Sequence, residues 1–192
     1  MIFTYNTRTA YKTCQQGLTL LEMLVAMAIV AILLTVVAPN IQIMLTKNRI
    51  TASINTLSSA VQYARFSAID QNTQTTVCPA SNFQTCSSDW SQAVIVFVDA
   101  NNNGDRESSE PLLMTTEATS AQQYFDGPST PLVFTETGAT NSLASFVLCP
   151  ITNDSSIARS VNVNQQGRTR ISIDSNNDGI HEDVNGTNIS CS

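Results

Sequence analysis

Charge is scarce in this chain, and positive charge is scarcest. Asp, Glu, Lys and Arg make up 12% of the 192 residues, and two residues are lysines. From Leu18 onward seven Lys and Arg stand against fifteen Asp and Glu, a balance of −8, while the whole chain carries −6. A body of that sign excludes nucleic-acid binding over the whole surface, which works by neutralising phosphates; any such contact needs a local basic spot. Histidine occurs once, at His181, and neither a CxxC pair nor a phosphate-cradling glycine loop occurs. With no Ser/His/Asp set at a readable spacing and no marked pair of acid and base carboxylates, the sequence is not expected to encode an enzyme, and no catalytic residue is assigned.

What is abundant is Ser, Thr, Asn and Gln, a composition suited to a folded β-rich domain, and the length allows one such domain plus an appendage. Of the five cysteines, Cys14 precedes a long apolar run, which leaves Cys78, Cys86, Cys149 and Cys191 beyond it. An even count in an exported domain reads as two disulfides, and chain order suggests Cys78–Cys86 and Cys149–Cys191. A zinc site is the rival, but the spacings do not suit it and His181 is the sole imidazole.

Residues 18–38, "LTLLEMLVAMAIVAILLTVVA", hold a single charge, Glu22. About 20 apolar residues span a hydrocarbon core, and Arg8 and Lys12 ahead of the run would remain cytoplasmic. An ordinary secretory signal has a shorter apolar core followed by a small-residue cleavage site. Here the small residue, Gly17, comes first. Cleavage after it would leave a positive amine on Leu18, four residues before Glu22. A carboxylate in a membrane usually has a partner, and the freed amine of a neighbouring copy supplies one. The plainer alternative is an uncleaved anchor whose Glu22 snorkels to the headgroups.

Beyond Pro39 a helical period continues through Ile50, Ile54, Leu57, Val61, Ala64 and Ala68, one apolar stripe suited to packing on a sheet. The chain thus divides into a leader at 1–17, a helix at 18–70 with 18–38 in the membrane, and a β-rich globular domain at 71–192. In that domain "QTTVC", "AVIVFVD", "PLLMT", "PLVFTE", "SFVLC", "SVNVN" and "TRISID" read as strands between turn residues. A helix followed by antiparallel strands is α+β.

The opening segment resembles the class III signal of the type IV pilin family. That resemblance implies cleavage after Gly17 by a prepilin peptidase, methylation of Leu18, Glu22 as the conserved-position acid of assembly, and a kinking proline at Pro39. It also implies a long N-terminal helix on an antiparallel sheet, no cofactor, and other pilin subunits as partners. The protein would sit in the inner membrane as a single-pass precursor with a periplasmic domain, then in the pilus at the cell surface. "VCPASNFQTCSSDWSQAVIVFVDANNNGDRESSEPLL", "SFVLCP" and "GRTR" resemble, in that order, the minor-pilin and pseudopilin branch known as GspH/FimT. Relatives often close with a Cys soon after "GRxR"; this chain inserts "DSNNDGIHEDVNGTNIS" before Cys191.

Two motifs carry candidate chemistry. "DANNNGDRESSE" matches a calcium-loop spacing, with Asp99, Asn101, Asn103 and Glu110 as oxygen donors, Asp105 as a further one, and Gly104 at the tight turn. The alternative is a hairpin turn whose Asx side chains bond their own backbone. "DSNNDGIHEDVN" from Asp174 is a poorer match, with Asn185 where Glu is wanted. The second motif is "GRTR". On a strand, Arg168 and Arg170 share a face, and Gly167 permits a turn with backbone open to a ligand. Guanidinium forks suit phosphate oxygens. In FimT-like pilins of competent bacteria this motif contacts DNA for uptake, so the resemblance implies double-stranded DNA at Gly167, Arg168 and Arg170, with Arg159 joining from a neighbouring strand. Alternatively the arginines pair with Asp174 or Asp178, and the subunit is a tip or priming pilin, or a type II secretion pseudopilin, without DNA.

Overall fold

Thr19 opens the long helix. A computed structural model describes residues 17–191, and in it helix α1 runs Leu20–Gln71. The Thr19 hydroxyl accepts the Glu22 N–H at 3.2 Å, so Thr19 is the N-cap and Glu22 the third helical residue, an arrangement that the spacing T-x-x-E favours. The helix accordingly starts two residues after the predicted Leu18. The leader, with Arg8, Lys12 and Cys14, lies outside the described residues. The chain forms two compact units, one ending at Gln42 and the other spanning Ile43–Ser192.

In the first unit every residue from Gly17 to Thr35 is exposed. Leu21, Met23, Leu24, Val25 and Val30 point in different directions around the axis, so the segment is apolar on all sides. It is long and apolar enough to cross a membrane. The helix passes through Pro39, inside its stated bounds.

In the second unit the same helix has a buried face. Ile50, Ile54, Leu57, Val61, Ala64 and Ala68, the stripe read from the sequence, are all buried. Asn72 ends the helix in the left-handed region at φ 50°, with its N–H on the Ile69 carbonyl and the Thr73 N–H on that of Ala68. Those two bonds satisfy the last turn, and asparagine tolerates the conformation better than most residues.

The strands are β1 (Thr75–Pro79), β2 (Val94–Val98), β3 (Leu112–Thr115), β4 (Gln123–Asp126), β5 (Leu132–Phe134), β6 (Ala144–Pro150), β7 (Arg159–Val163) and β8 (Thr169–Ile171). They build two antiparallel four-stranded sheets, ordered β3-β2-β1-β5 and β4-β6-β7-β8. Both send side chains into one core beneath the helix stripe: Val77, Val96 and Phe134 from the first, Phe146, Leu148 and Val161 from the second. Trp90 meets Phe146 edge-on at 4.6 Å and donates its indole N–H to the Pro128 carbonyl at 2.7 Å. The α+β class agrees with the element pattern, but the strands form two sheets where one was expected. β4, "QYFD", was missed because it holds no β-branched residue and lies at a sheet edge, where half-exposed aromatics suffice.

Cys78 is bonded to Cys86 and Cys149 to Cys191. The second bond ties down the tail. After β8 the chain turns back, Glu182 bridges to Ile173, Asn188 bridges to Glu182, and Ile189 is buried beside Cys149 and Ala158. The "DSNNDG" insertion therefore lays an irregular layer along the free edge of β8 and over part of the second sheet.

Candidate functional site

The β-alternation of the second sheet decides where its arginines go. Ile171 packs against the core, so Arg170 beside it points to the outer face. Arg168 lies two residues earlier, where its carbonyl still accepts the Asn164 N–H of the adjoining strand at 3.1 Å, and it shares that face. On β7, Val161 and Val163 face the core and Asn162, the register partner of Arg170, faces outward. Both guanidinium groups are exposed and have no hydrogen bond or ion pair with any described residue. The carboxylates offered as their partners are engaged elsewhere: Asp174 receives the Gly179 N–H at 3.0 Å, and Asp178 the amides of Asn176 and Asn188.

Two members of the sequence-derived set do not join them. Gly167 adopts φ 72°, as the turn requires, but it is buried. A Cβ there would lie 2.1 Å from the Gly138 carbonyl and 2.8 Å from Arg65 Nε, which itself donates to that carbonyl at 3.0 Å. Glycine is needed for close packing of two turns against the helix, and its backbone is closed to a ligand. Arg159 lies on the neighbouring strand as expected, yet at its opposite end and 9% exposed. Its guanidinium donates to the Ala158 carbonyl at 2.6 Å and the Ser156 carbonyl at 3.4 Å. Burial lowers its pKa, with Asp174 acting in the other direction.

The tail brings further titratable groups near β8. His181 Nδ1 lies 2.8 Å from the Ser172 carbonyl, which fixes that nitrogen as a donor, and 3.1 Å from the Ser172 hydroxyl. Burial, and then the nearby Arg159 cation, push the imidazole below its ordinary value against the pull of Ser172, Asp174 and Glu182. Hydrogen bonds from Asn188 and the Ile180 N–H hold Asp178 below the usual carboxylate range, and those from the Thr187 and Asn185 N–H groups do the same for Asp183.

The oxygen-rich loop at Asp99–Glu110 closes on itself. Buried Asp99 accepts the N–H groups of Asn103 and Gly104 at 3.1 Å each, and the Thr76 hydroxyl at 3.1 Å. Glu110 accepts from Ala100 and Glu107 N–H, Asn101 and Asn103 receive backbone N–H groups, and Asp105 receives that of Cys86. Glu107, a further carboxylate of the same loop, receives the side-chain amides of Asn101 and Asn103. These side chains thus brace the turn through N–H groups, and no cluster of three His, Cys, Asp or Glu suited to a metal occurs among the described residues.

At the other end of the chain, Gly17 and Leu18 are exposed and lie directly ahead of the helix, with Glu22 exposed in its first turn. A basic leader, a glycine, an exposed apolar helix with one acid in its first turn, and a helix-backed pair of antiparallel sheets define a pilin-like subunit.

Comparison with known proteins agrees. The prokaryotic N-terminal methylation motif matches residues 12–38, and the family described as type II transport protein GspH matches residues 53–167. The chain belongs to the GspH family. Its fold is that of the type IV minor pilin FimU of Pseudomonas aeruginosa, with a TM-score of 0.52 and 18% identity over 67% of this chain and 91% of that one. The minor pseudopilin EpsH of the Vibrio cholerae type 2 secretion system overlaps 64% of this chain and 95% of its own, at TM-score 0.49 and 10% identity. Among curated proteins none matches. The protein is thus a GspH-family chain that carries the N-terminal methylation motif and has the fold of a minor pilin.

Proposed function

We propose that this subunit is a DNA-binding minor pilin that serves uptake in natural transformation. The precursor is cut after Gly17 by prepilin peptidase, methylated on Leu18 and held in the inner membrane with its globular domain in the periplasm until assembly. Glu22 then meets the terminal amine of a neighbouring subunit, and the apolar helix packs among others. A carboxylate in lipid is stable when so paired. The subunit works without a resident cofactor: the N–H bonds accepted by Asp99, Asn101, Asn103 and Glu110 support a structural turn in that loop.

The observation that carries the DNA assignment is the pair of exposed, unpartnered guanidinium groups of Arg168 and Arg170 on one face. Two such contacts bind phosphate weakly, and several copies along a filament multiply the effect. Arg168→Ala with Arg170→Ala should abolish a gel shift that, in the parent, weakens steeply with salt; unchanged binding by the double variant would overturn the assignment. The second reading, favoured by the family description, is a tip, priming or type II secretion subunit without DNA. Glu22→Val separates assembly from both: membrane insertion should persist while incorporation into filaments is lost, and normal incorporation would refute the pairing.

A further inference from the structure

The tail carries a short motif that the fold lifts to an exposed tip. Asn-x-Ser/Thr triplets occur at Asn153, Asn185 and Asn188, and such a triplet on the surface of an exported domain is an acceptor for N-linked glycosylation. Asn185 heads "NGT" and has Asp183 two residues ahead of it. An acid at that place is what bacterial oligosaccharyltransferases read in addition to the hydroxyl two residues on. Asp183 and Thr187 close a hairpin turn, the Asp183 N–H on the Thr187 carbonyl at 2.8 Å, with Gly186 bent at φ 78°. Val184, Asn185, Gly186 and Thr187 are all exposed. The Asp183 carboxylate accepts the N–H groups of Asn185 and Thr187 at 2.8 and 3.0 Å. The Asn185 side-chain amide rests on the same carboxylate at 3.3 Å, the longest of the three bonds.

The other two triplets are placed differently. The Asn188 amide donates to Asp178 at 2.7 Å, Ile189 within its triplet is buried, and Gly186 stands where the acid is wanted. Asn153 sits at φ 56° and accepts the Tyr124 hydroxyl at 3.0 Å. Its Ser155 hydroxyl already accepts the Cys191 N–H at 3.1 Å, and Ile151 stands two residues ahead. We propose that Asn185 is an N-glycosylation site that takes its saccharide from a polyprenyl diphosphate donor. In the transfer Asn185 Nδ2 bonds to C1 of the first sugar while the bond from C1 to the diphosphate oxygen breaks. The polyprenyl diphosphate leaves with that electron pair, the amide gives up one proton, and nothing is oxidised or reduced. Only the exposed 3.3 Å bond to Asp183 has to open to free the amide. The site stands apart from the DNA assignment and does not depend on it. A glycan there is bulky and solubilising, and it lies beside Val184, an apolar side chain 58% exposed.

The test uses the full chain in detergent micelles, with a bacterial oligosaccharyltransferase and a synthetic polyprenyl-diphosphate disaccharide, read by intact mass. The unaltered chain should gain a single disaccharide. Asn185→Gln should lose that gain entirely, as should Thr187→Val, whereas Thr187→Ser, Asn153→Gln and Asn188→Gln should keep it. All four of these side chains are exposed, so the variants leave the core intact. No gain by the folded chain overturns the proposal, and glycosylation of a free peptide spanning Glu182–Ser190 under the same conditions would then locate the fault in a turn that withholds its amide. A gain that persists in Asn185→Gln overturns it as well, by placing the sugar on another residue.

Discussion

Both stretches of helix α1 carry large apolar side chains, and these fare differently. Between Leu20 and Leu34 no apolar side chain is buried, whereas Ile50, Ile54, Leu57 and Val61 are sealed under two sheets. Hydrophobicity creates a demand for cover without saying who provides it. For the later stretch the cover is in the same chain. For the earlier one no such cover occurs among the described residues, and in the assembly proposed above Glu22 marks the place where a neighbour supplies a positive charge.

The largest effect that sharpens this contrast is a pair of truncations. Ile54→Ala should cost about 2–5 kcal/mol in urea unfolding, as core truncations do, while Leu24→Ala should cost no more than about 0.5 kcal/mol. Equal costs would mean that the N-terminal stretch is packed against the domain. Next come the disulfides. Cys149 and Cys191 are 42 residues apart and Cys78 and Cys86 are 8 apart, so chain entropy gives losses of about 4 and about 2.5 kcal/mol for the respective double serine variants. Limited proteolysis of the Cys149→Ser, Cys191→Ser variant should cut first within the tail; cleavage elsewhere would contradict its attachment there.

The smallest effect is one of pH. His181 has a folded pKa below its ordinary 6.5, so the unfolded chain binds the extra proton. That stabilising contribution is therefore complete above about 6.5 and fades as pH falls through the folded value. Arg159 opposes protonation, while Asp174 and Glu182 favour it. In His181→Asn, the urea midpoint should vary less between about pH 7.5 and pH 5 than in the parent. An identical profile would show that the imidazole does not titrate in this way.

Much of this architecture could be read directly from residues. The apolar stripe from Ile50 to Ala68 has the helical period, and seven of the eight strands stand out through β-branched or aromatic runs. The disulfides follow chain order: each ties a strand cysteine, Cys78 on β1 or Cys149 on β6, to one outside the sheets. What spacing could not show was who folds onto whom. Gly167 looked like a ligand-facing turn, yet its missing Cβ is filled by the Gly138 carbonyl, some thirty positions earlier in the chain. Arg159 looked like a third cation until its guanidinium proved to hold the carbonyls of its own turn. The T-x-x-E cap at Thr19 was present in the letters and was overlooked because Glu22 already had a role.

The backward turn of the tail restricts how copies can join. The Ile173 carbonyl accepts the Glu182 N–H at 2.9 Å, so at that point the rim of the second sheet is already occupied by its own chain. An open strand rim is a template on which a second copy can pair, strand upon strand, without limit. With that rim covered at Ile173 and the covering segment bonded to Cys149 through Cys191, one sideways route to such growth is shut.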